Sequence, residues 1–442
     1  MAQNKKKLLN LFYIFLATHL VLWTVVPSIV NHNLPLDTIE ALAWGGNLDW
    51  GFNKHPPLSA FFTEVFFIIF GSQDWAYYLL SQIFLIISFY FVFKLSNEIL
   101  DNLKLSFISV ILLEGIFFYN FTTPEFNVNV SQLPFWAITV YFTWKIFEKK
   151  DPQAIDLILL GIVAALGVLS KYLFLYLLIS IDLLFFYLIF LLKDRKFKFS
   201  YLISFEVFLL LLIPHLIWLT NNNYVTIVYG FARTGASGFE IENHLINPLI
   251  FIVKQIGILI PFFILCSFLI SKFKFKINFK DKKILFLTFI SLAPIVLMLI
   301  TSIVTGSKIR TMWMTPFYLF QGLIVIYIFK NQINFKKINN FIICFIFLFL
   351  LSPFIYGYIS ITKDNKRTDY PGKQIAEKDQ FEWDQNFDEQ IGFVIGNEWK
   401  AGNLSYHLKS RPTWEGFIES SNILNEAKEY ICIDDICVGT YK

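Results

Sequence analysis

The chain has 442 residues, of which 56% are hydrophobic and only 16% are charged, whereas an ordinary soluble domain carries roughly 25% charged residues. A soluble protein of this size could not hide so much apolar surface, because single cores stop growing near roughly 250–300 residues. The composition therefore indicates a membrane protein and excludes a soluble enzyme, a disordered protein and, with a net charge of only +4, a nucleic-acid partner.

Eleven apolar runs are long enough, or nearly so, to cross a bilayer as helices, each of which needs about 20 apolar residues. In chain order they are residues 8–30, 74–97, 104–122, 131–147, 154–170, 173–192, 199–220, 248–271, 284–304, 314–330 and 338–360. We therefore predict an all-α polytopic membrane domain over residues 1–360, with about 11 transmembrane helices. We interpret the first run as an uncleaved helix, since no small-residue cleavage site follows it.

The loop cations are distributed unequally between the two sides of this predicted topology. If the N-terminal lysines at 5–7 are cytoplasmic, about 21 Lys and Arg residues fall on that side and about 5 on the opposite side. An odd number of spans then places the C-terminus outside. The outer cations are Lys54, Lys171, Arg233, Lys308 and Arg310.

Residues 361–442 are polar and read as a small α/β domain on the outer side. The pattern predicts a strand at 392–396, a helix at 398–408 and another strand at 430–433. Cys432 and Cys437 are spaced so that a hairpin could join them. A disulfide in an oxidising compartment and two free thiols are both compatible with this spacing.

The first outer loop, residues 31–73, holds the densest group of polar residues. Asp37 and Glu40 are three residues apart, so both carboxylates lie on one face if this stretch is helical. Lys54 and His55 come directly before a Pro-Pro pair that stops a helix and fixes the chain. Such a loop could bring an acid and a cation to one lipid headgroup. The alternative is an ordinary charged interfacial loop with aromatic anchors.

The order of residues in this loop resembles the GT-C class of polyprenyl-phosphate-sugar glycosyltransferases. It is closest to the bacterial family 39 proteins that resemble protein O-mannosyltransferases and lipid A aminoarabinose transferases. These proteins typically show an acid soon after the first span, then a Trp-Gly pair and a His-Pro-Pro-Leu signature, here Asp37, Trp44 and the motif beginning at His55. Further segments keep the resemblance in register along nearly the whole chain: 123–129, 169–172, 214–218 with Asn222, 313–316 and 397–406.

The resemblance implies an enzyme of the bacterial inner membrane with its active site on the periplasmic side. It would transfer a sugar from a polyprenyl-phosphate donor to an extracytoplasmic acceptor, which could be lipid A, another glycan or a protein. Asp37 would act as general base or orient the acceptor, since an ordinary Asp is ionised near neutral pH. Glu40 and Glu125 are further acids of the catalytic site, and Glu125 would orient the acceptor or a metal. The alternative for Glu125 is a solvated loop acid.

The leaving phosphate of such a reaction needs cationic partners. In the lipid A transferase branch the residue before the first proline of the motif is usually Lys, but here it is His55, with Lys54 beside it. This departure leaves open which of the two meets the phosphate and whether His55 is charged. The candidates for phosphate binding are Lys54, His55, Lys171, Lys308 and Arg310, and those for the substrate pocket are Trp44, Asn127, Tyr172 and His215.

A metal cofactor is not decided by the sequence, because some relatives use a divalent ion and others do not. His215, and His244 with Glu240 and Glu242, are possible ligands, although a lone His is more often structural. Two other functions stay open. The first is a transporter or lipid-linked sugar flippase, which would need internal repeats and polar sites at the membrane midplane. The second is a non-catalytic membrane scaffold that presents residues 361–442 on the outer side.

Overall fold

The computed structural model describes residues 2–149, 151–194, 197–235, 241–275, 277–416, 420–433 and 435–442. Up to residue 362 the described chain is a succession of helices joined by loops and short 3₁₀ turns. The helices are α1 (Ala2–Val30), α2 (Leu36–Gly45), α3 (Leu58–Phe70), α4 (Asp74–Leu100), α5 (Leu103–Ile111), α6 (Val128–Ser131), α7 (Leu133–Glu148), α8 (Ala154–Ser170), α9 (Leu175–Phe186), α10 (Leu202–Asn221), α11 (Val225–Thr234), α12 (Asn243–Ile258), α13 (Ile260–Leu269), α14 (Lys282–Ser291), α15 (Ala293–Thr305), α16 (Gln321–Phe329) and α17 (Ile338–Thr362).

The chain is a multi-pass membrane protein, but the expected number of 11 spans is not confirmed. Among the described residues, five helices are long and apolar enough to cross a membrane, or up to eight if each of three bent helix pairs is one span. The run at 104–122 is broken, because α5 ends at Ile111 and the chain continues in 3₁₀ turns. The runs at 131–147 and 154–170 form α7 and α8, which have only 16 and 17 residues.

Two of the bent pairs break next to a proline. The angle is 49° between α12 and α13 and 40° between α14 and α15. Pro261 and Pro294 stand in the first turns of α13 and α15. At that position the missing N–H of proline is tolerated, whereas the preceding helix cannot run through it. A continuous apolar run in the sequence therefore becomes two helices with different directions.

The C-terminal domain, residues 363–442, combines three helices with a small sheet. The helices are α18 (Gly372–Asn386), α19 (Glu398–His407) and α20 (Ser420–Glu426), and the strands are β1 (Phe393–Ile395), β2 (Thr413–Trp414), β3 (Ala427–Ile433) and β4 (Ile436–Tyr441). The strand order is β2-β1-β4-β3, in which the β1–β2 pair is parallel and the other two pairs are antiparallel.

The elements expected in the tail are confirmed. The strand at 392–396 is β1, the helix at 398–408 is α19, and the strand at 430–433 is the second half of β3. Cys432 and Cys437 face each other across the β3–β4 hairpin and form a disulfide. Of the two alternatives that the spacing left open, the structure has the disulfide.

The C-terminal domain shares one apolar core with α2, α3 and the loop between them. Trp44 and Phe52 pack in the same cluster as Trp383, Leu404 and Trp414 of the domain. At the edge of this core the guanidinium of Arg411 donates to the carboxylate of Glu64 in α3 at 2.9 Å. Burial of large apolar side chains is the main stabilising term at such a contact.

Two glycines allow helices to approach α2 closely. A Cβ on Gly45, the last residue of α2, would lie 2.9 Å from the main-chain oxygen of Ala60 in α3. A Cβ on Gly402 in α19 would lie 3.1 Å from side-chain carbons of both Ile39 and Ala43. Helix α2, which carries the candidate catalytic acids, is therefore fixed between α3 and the C-terminal domain.

Candidate functional site

Asp37 and Glu40 lie in the first half of α2. Because this stretch is helical, the spacing of three residues puts the two acids on one face of the helix. The helix starts after Pro35, and Asp37 is in its first turn, where the helix dipole favours a carboxylate. Glu40 is buried and Asp37 is half-buried. Both line a small pocket, here called the acid pocket, together with Trp44, His55, Ser59, Asn127 and Val128.

Glu125 lies directly beside Asp37. The main-chain N–H of Asp37 donates to the Glu125 carboxylate at 3.0 Å, and the hydroxyl of Thr38 donates to the carbonyl of Phe126 at 3.0 Å. Asn127 then begins α6 by accepting hydrogen bonds from the next turn with its side chain. The segment before α6 is thereby attached to the first turn of α2. The structure thus brings together Asp37 and Glu125, 88 residues apart in the chain.

Burial raises the pKa of all three acids. The pKa of Glu125 rises to about 8, because the group is desolvated and because the negative charge of Asp37 opposes its ionisation. The pKa of Glu40 rises to about 7, although Lys54 favours its charged form. Burial also raises the pKa of Asp37, against the attraction of Lys171, Lys54 and Arg233. Asp37 is therefore the acid on which most positive charge acts.

Lys54 lies between two carboxylates from distant parts of the chain. Its ammonium donates to Glu40 at 2.9 Å and to Glu398 at the start of α19. The side-chain amide of Asn53 donates to the other oxygen of Glu398 at 2.6 Å. Burial alone would lower the pKa of Lys54, but the two carboxylates outweigh it and raise the pKa. Lys54 is thus held as a cation.

Lys171 is the buried cation of the site, with only 6% of the residue exposed. It follows the last residue of α8, donates a hydrogen bond to the side-chain oxygen of Asn129, and places its ammonium 5.4 Å from the ring centre of Trp313. Burial lowers its pKa to about 7, while the negative charge of Asp37 acts in the opposite direction. Near neutral pH a small change in its surroundings therefore decides whether Lys171 is charged.

A cavity of about 330 Å³, here called the central cavity, adjoins these groups. The basic side chains of Lys54, Lys171 and Arg233 line its wall, and His55 lines both this cavity and the acid pocket. The rest of the wall is mainly apolar and aromatic, with Tyr172, Leu173, Tyr176, Tyr229, Phe231, Met298, Ile309 and Trp313. Such a combination suits a ligand with an anionic head and an apolar body.

His55 is neutral at physiological pH. Burial lowers its pKa to about 3, and the positive charges of Lys171, Lys54 and Arg233 act in the same direction. The surroundings thus favour the charged form of Lys54 and the neutral form of His55, which offers one N–H and one lone pair.

Lys308 and Arg310 do not line the central cavity. They line a neighbouring cavity of about 800 Å³, here called the side cavity, together with Lys254 and Arg233. Arg233 and Ile309 contribute to both cavities. No carboxylate lines the side cavity, and none of its four cations forms an ion pair with an acid in the described part of the chain.

Tyr172 and His215, both expected in the substrate pocket, lie in different surroundings. Tyr172 lines the central cavity, whereas His215 lines neither that cavity nor the acid pocket. The Tyr172 hydroxyl donates to Nε2 of His215 at 2.7 Å, and Nδ1 of His215 donates to the carbonyl of Trp50 at 2.6 Å. A carbonyl only accepts, so this arrangement fixes the neutral tautomer with Nε2 as acceptor. His215 attaches the loop between α2 and α3 to α10.

The described residues do not fit a metal centre. No three His, Cys, Asp or Glu side chains within them converge as a metal site would require. His244 uses Nδ1 to donate to the carbonyl of Ile303 at 2.8 Å. Glu240, which the sequence suggested as its neighbour in such a site, lies outside the described residues.

Two residues of the site were not singled out by sequence reasoning. Arg233 was counted as an outer cation but not as a phosphate-binding candidate, although a basic residue at the end of an amphipathic helix is a usable signal. Glu398 was part of the segment 397–406 of the resemblance and the start of a predicted helix, but it was not a candidate site residue. Its partner Lys54 is 344 residues away, and nothing in one sequence indicates that pairing.

Comparisons with known proteins agree with this fold. The sequence family of dolichyl-phosphate-mannose-protein mannosyltransferases matches residues 54–218, and no curated protein matches the sequence significantly. The crystal structure of ArnT from Cupriavidus metallidurans bound to undecaprenyl phosphate is similar over 93% of this chain and 87% of that one, with a TM-score of 0.65 and 12% identity.

A second similar structure is the archaeal oligosaccharyltransferase AglB from Archaeoglobus fulgidus, in complex with an inhibitory peptide and a dolichol-phosphate. It has a TM-score of 0.47 and 11% identity over 93% of this chain and 64% of that one. The likeness to ArnT shows that the chain has the GT-C fold of that protein over most of its length.

Proposed function

From the GT-C fold we propose that the chain is a membrane glycosyltransferase that transfers a sugar from a polyprenyl-phosphate donor to an acceptor. One observation carries the proposal: the acid pocket around Asp37 adjoins, through His55, a central cavity with three cations in an aromatic wall. A sugar between the two would have its phosphate beside the cations and its reacting carbon beside the acid. The ArnT structure holds undecaprenyl phosphate, a carrier of this chemical class.

The donor phosphate lies, in this proposal, among Lys54, Lys171 and Arg233. Arginine can bind two phosphate oxygens at once, while each lysine acts as a point charge. The apolar part of the central cavity accommodates the first units of the polyprenyl chain. A phosphate that arrives there raises the pKa of Lys171, because an opposite charge within a few ångströms favours the ammonium form.

The reaction is a displacement at the sugar carbon that carries the phosphate. The acceptor hydroxyl oxygen forms a bond to that carbon, its proton passes to the Asp37 carboxylate, and the bond from the carbon to the phosphate oxygen breaks. The electron pair of that bond leaves with the polyprenyl phosphate, whose growing negative charge Lys54, Lys171 and Arg233 stabilise. The products are the glycosylated acceptor, the free polyprenyl phosphate and protonated Asp37.

Glu125 and Glu40 have supporting roles in this proposal. With a pKa of about 8, Glu125 is mainly protonated at neutral pH and can donate a hydrogen bond that orients the acceptor. Glu40 holds Lys54 on the side of α2. Asp37 is the acid that receives the proton in this proposal, because the positive charges of Lys171, Lys54 and Arg233 favour its ionised form against the effect of burial.

The acceptor enters, in this proposal, through the side cavity and carries negative charge. Four basic side chains, with no carboxylate beside them in the described part of the cavity wall, attract a phosphorylated or acidic acceptor. A phosphorylated glycolipid such as lipid A, or an acidic glycan, meets this requirement better than a neutral peptide. Lys308 and Arg310, expected at the donor phosphate, are therefore reassigned to the acceptor.

The alternative function is a flippase for a lipid-linked sugar. The three bent helix pairs favour it, because transporters often contain interrupted helices. The two functions differ in the covalent product. Membranes with and without the chain are given a polyprenyl-phosphate sugar with a radiolabelled sugar. A transferase moves the label to a new molecule, whereas a flippase leaves it on the carrier. Transfer that is equal with and without the chain, for every donor tested, would contradict the proposal.

The proposed location is the bacterial inner membrane, with the acid pocket and the C-terminal domain on the periplasmic side. The loop cations and the disulfide in the β3–β4 hairpin support this orientation. Alkaline phosphatase fused to the C-terminus is active only when it is exported. The control is a fusion after an even number of spans, which should be inactive in the proposed orientation. An inactive fusion at the C-terminus together with an active control would show that the orientation is the reverse.

A further inference from the structure

Glu398 of the C-terminal domain contacts the site directly. Its carboxylate accepts hydrogen bonds from Lys54 and from Asn53, so both of its oxygens are bonded to the loop between α2 and α3. Glu40, in α2, binds the same ammonium from the other side. We infer that Glu398 is a positioning residue, which holds Lys54 toward the central cavity so that the C-terminal domain completes the donor site. The inference rests on the proposed function.

The chemistry of lysine explains why such a residue is needed. An ammonium on a four-carbon stem has many conformations and three N–H donors. Two of the Lys54 donors are taken by Glu40 and Glu398, which leaves the third for another acceptor. Lys54 lines the central cavity, so a donor phosphate oxygen can supply that acceptor. Two fixed carboxylates thus restrict a flexible cation to one position before the donor arrives.

Glu398 is itself rigidly placed. It is in the first turn of α19, whose start is capped by the side chain of Asn397. Further along the helix, Gly402 contacts α2 closely, and the amide of Asn33 donates to the side chain of Asn403 at 2.8 Å. A helix held at several points is a better support for a site residue than a loop. The position of Glu398 is therefore tied to that of α2.

The kinetic test uses the purified full-length protein in detergent or lipid with a polyprenyl-phosphate sugar donor. The Glu398→Gln variant should raise the donor KM about tenfold and leave kcat within about threefold. In a Lys54→Ala background the same substitution should have no further effect on the donor KM, because Glu398 acts through Lys54. Additive effects of the two substitutions would overturn the inference.

The matched control is Glu64→Gln, which removes a carboxylate that joins α3 to Arg411 of the domain but does not contact Lys54. It should leave the donor KM unchanged even if it lowers the melting temperature. An equal rise of the donor KM in Glu64→Gln and Glu398→Gln would show that loose docking of the domain is the cause, and the inference would be wrong.

A second measurement does not depend on sugar transfer. Acetic anhydride acylates only unprotonated amines, and the extent at each lysine is read by mass spectrometry. Lys54 should be acylated several-fold faster in Glu398→Gln than in the wild type, relative to Lys308 in the same sample. An unchanged ratio overturns the inference. If Lys54 is acylated faster in Glu398→Gln but the wild-type protein transfers no sugar, Glu398 still positions Lys54, and the proposed function is wrong.

Discussion

The main-chain N–H of Asp37 donates a hydrogen bond of 3.0 Å to the carboxylate of Glu125. A hydrogen bond from the main chain fixes the distance between the two acids without using the Asp37 carboxylate. No hydrogen bond to the side chain of Asp37 occurs within the described residues. The carboxylate that we propose as base is therefore left for an acceptor, while its neighbour is held beside it.

Asp37→Asn should reduce kcat roughly 10²–10⁴-fold, which is the usual contribution of general acid–base catalysis. Asparagine has nearly the same shape but cannot receive the proton. The measurement is radiolabelled sugar transfer, with Asp435→Asn in the exposed β3–β4 hairpin as the control for a lost acid. Transfer by Asp37→Asn at the wild-type rate would remove Asp37 from the mechanism.

Glu125→Gln should be much milder, with kcat/KM within about tenfold of the wild type near pH 6.5. Because the pKa of Glu125 is about 8, its carboxyl is mainly protonated there, and glutamine resembles that neutral form. The comparison is made with Asp37→Asn in the same assay. If Glu125→Gln loses as much activity as Asp37→Asn, Glu125 takes part in proton transfer and the two roles must be exchanged.

The donor KM should rise as the pH increases above about 7, because the pKa of Lys171 is about 7. Below that pH the ammonium is protonated and attracts the phosphate, and above it the amine is neutral. Lys171→Arg should remove this rise, since arginine stays protonated throughout. The readout is the donor KM between pH 6 and 9 in both proteins. The same alkaline rise in Lys171→Arg would mean that another group titrates.

Lys308→Ala should raise the acceptor KM by roughly tenfold and leave the donor KM unchanged, because a hydrogen bond to a charged group contributes about 1.5–3 kcal/mol. Arg233→Ala should raise both constants, since Arg233 lines both cavities. The two variants are compared by varying one substrate at a time. A rise of only the donor KM in Lys308→Ala would return this lysine to the donor phosphate.

Gly45→Ala should lower the melting temperature, because the new Cβ would lie 2.9 Å from the main-chain oxygen of Ala60. Overpacking of this kind costs about 1–3 kcal/mol. Gly357→Ala in α17 is the control, since its nearest neighbours are at 3.5 and 3.6 Å, an ordinary contact. Equal melting temperatures for the two variants would show that α2 and α3 can separate without loss.

Much of the site was predictable because its residues are close in sequence. Asp37 and Glu40 share a helical face, and the motif from His55 to Leu58 marks the loop that follows. Periodicity and motif order carry this kind of information. The membrane class followed from composition, and the strands and helix of the tail followed from local pattern.

The remaining features depend on long-range packing. A run of apolar residues shows that a helix is apolar but not where it bends, so the expected number of 11 spans is not confirmed by the helices of the described residues. Lys171 and Lys308 are both cations of predicted outer loops, yet they line different cavities. Only the path of the backbone separates them, and no local pattern records that path.

The shared core of α2 and the C-terminal domain has a consequence for how the protein is made. The ribosome synthesises Lys54 344 residues before Glu398. In a chain that is interrupted before α19, Lys54 lacks one of its two carboxylate partners, and Trp44 lacks the side chains of the domain that pack in the same cluster. In the proposed function, such a nascent chain binds the donor more weakly than the chain that has α19.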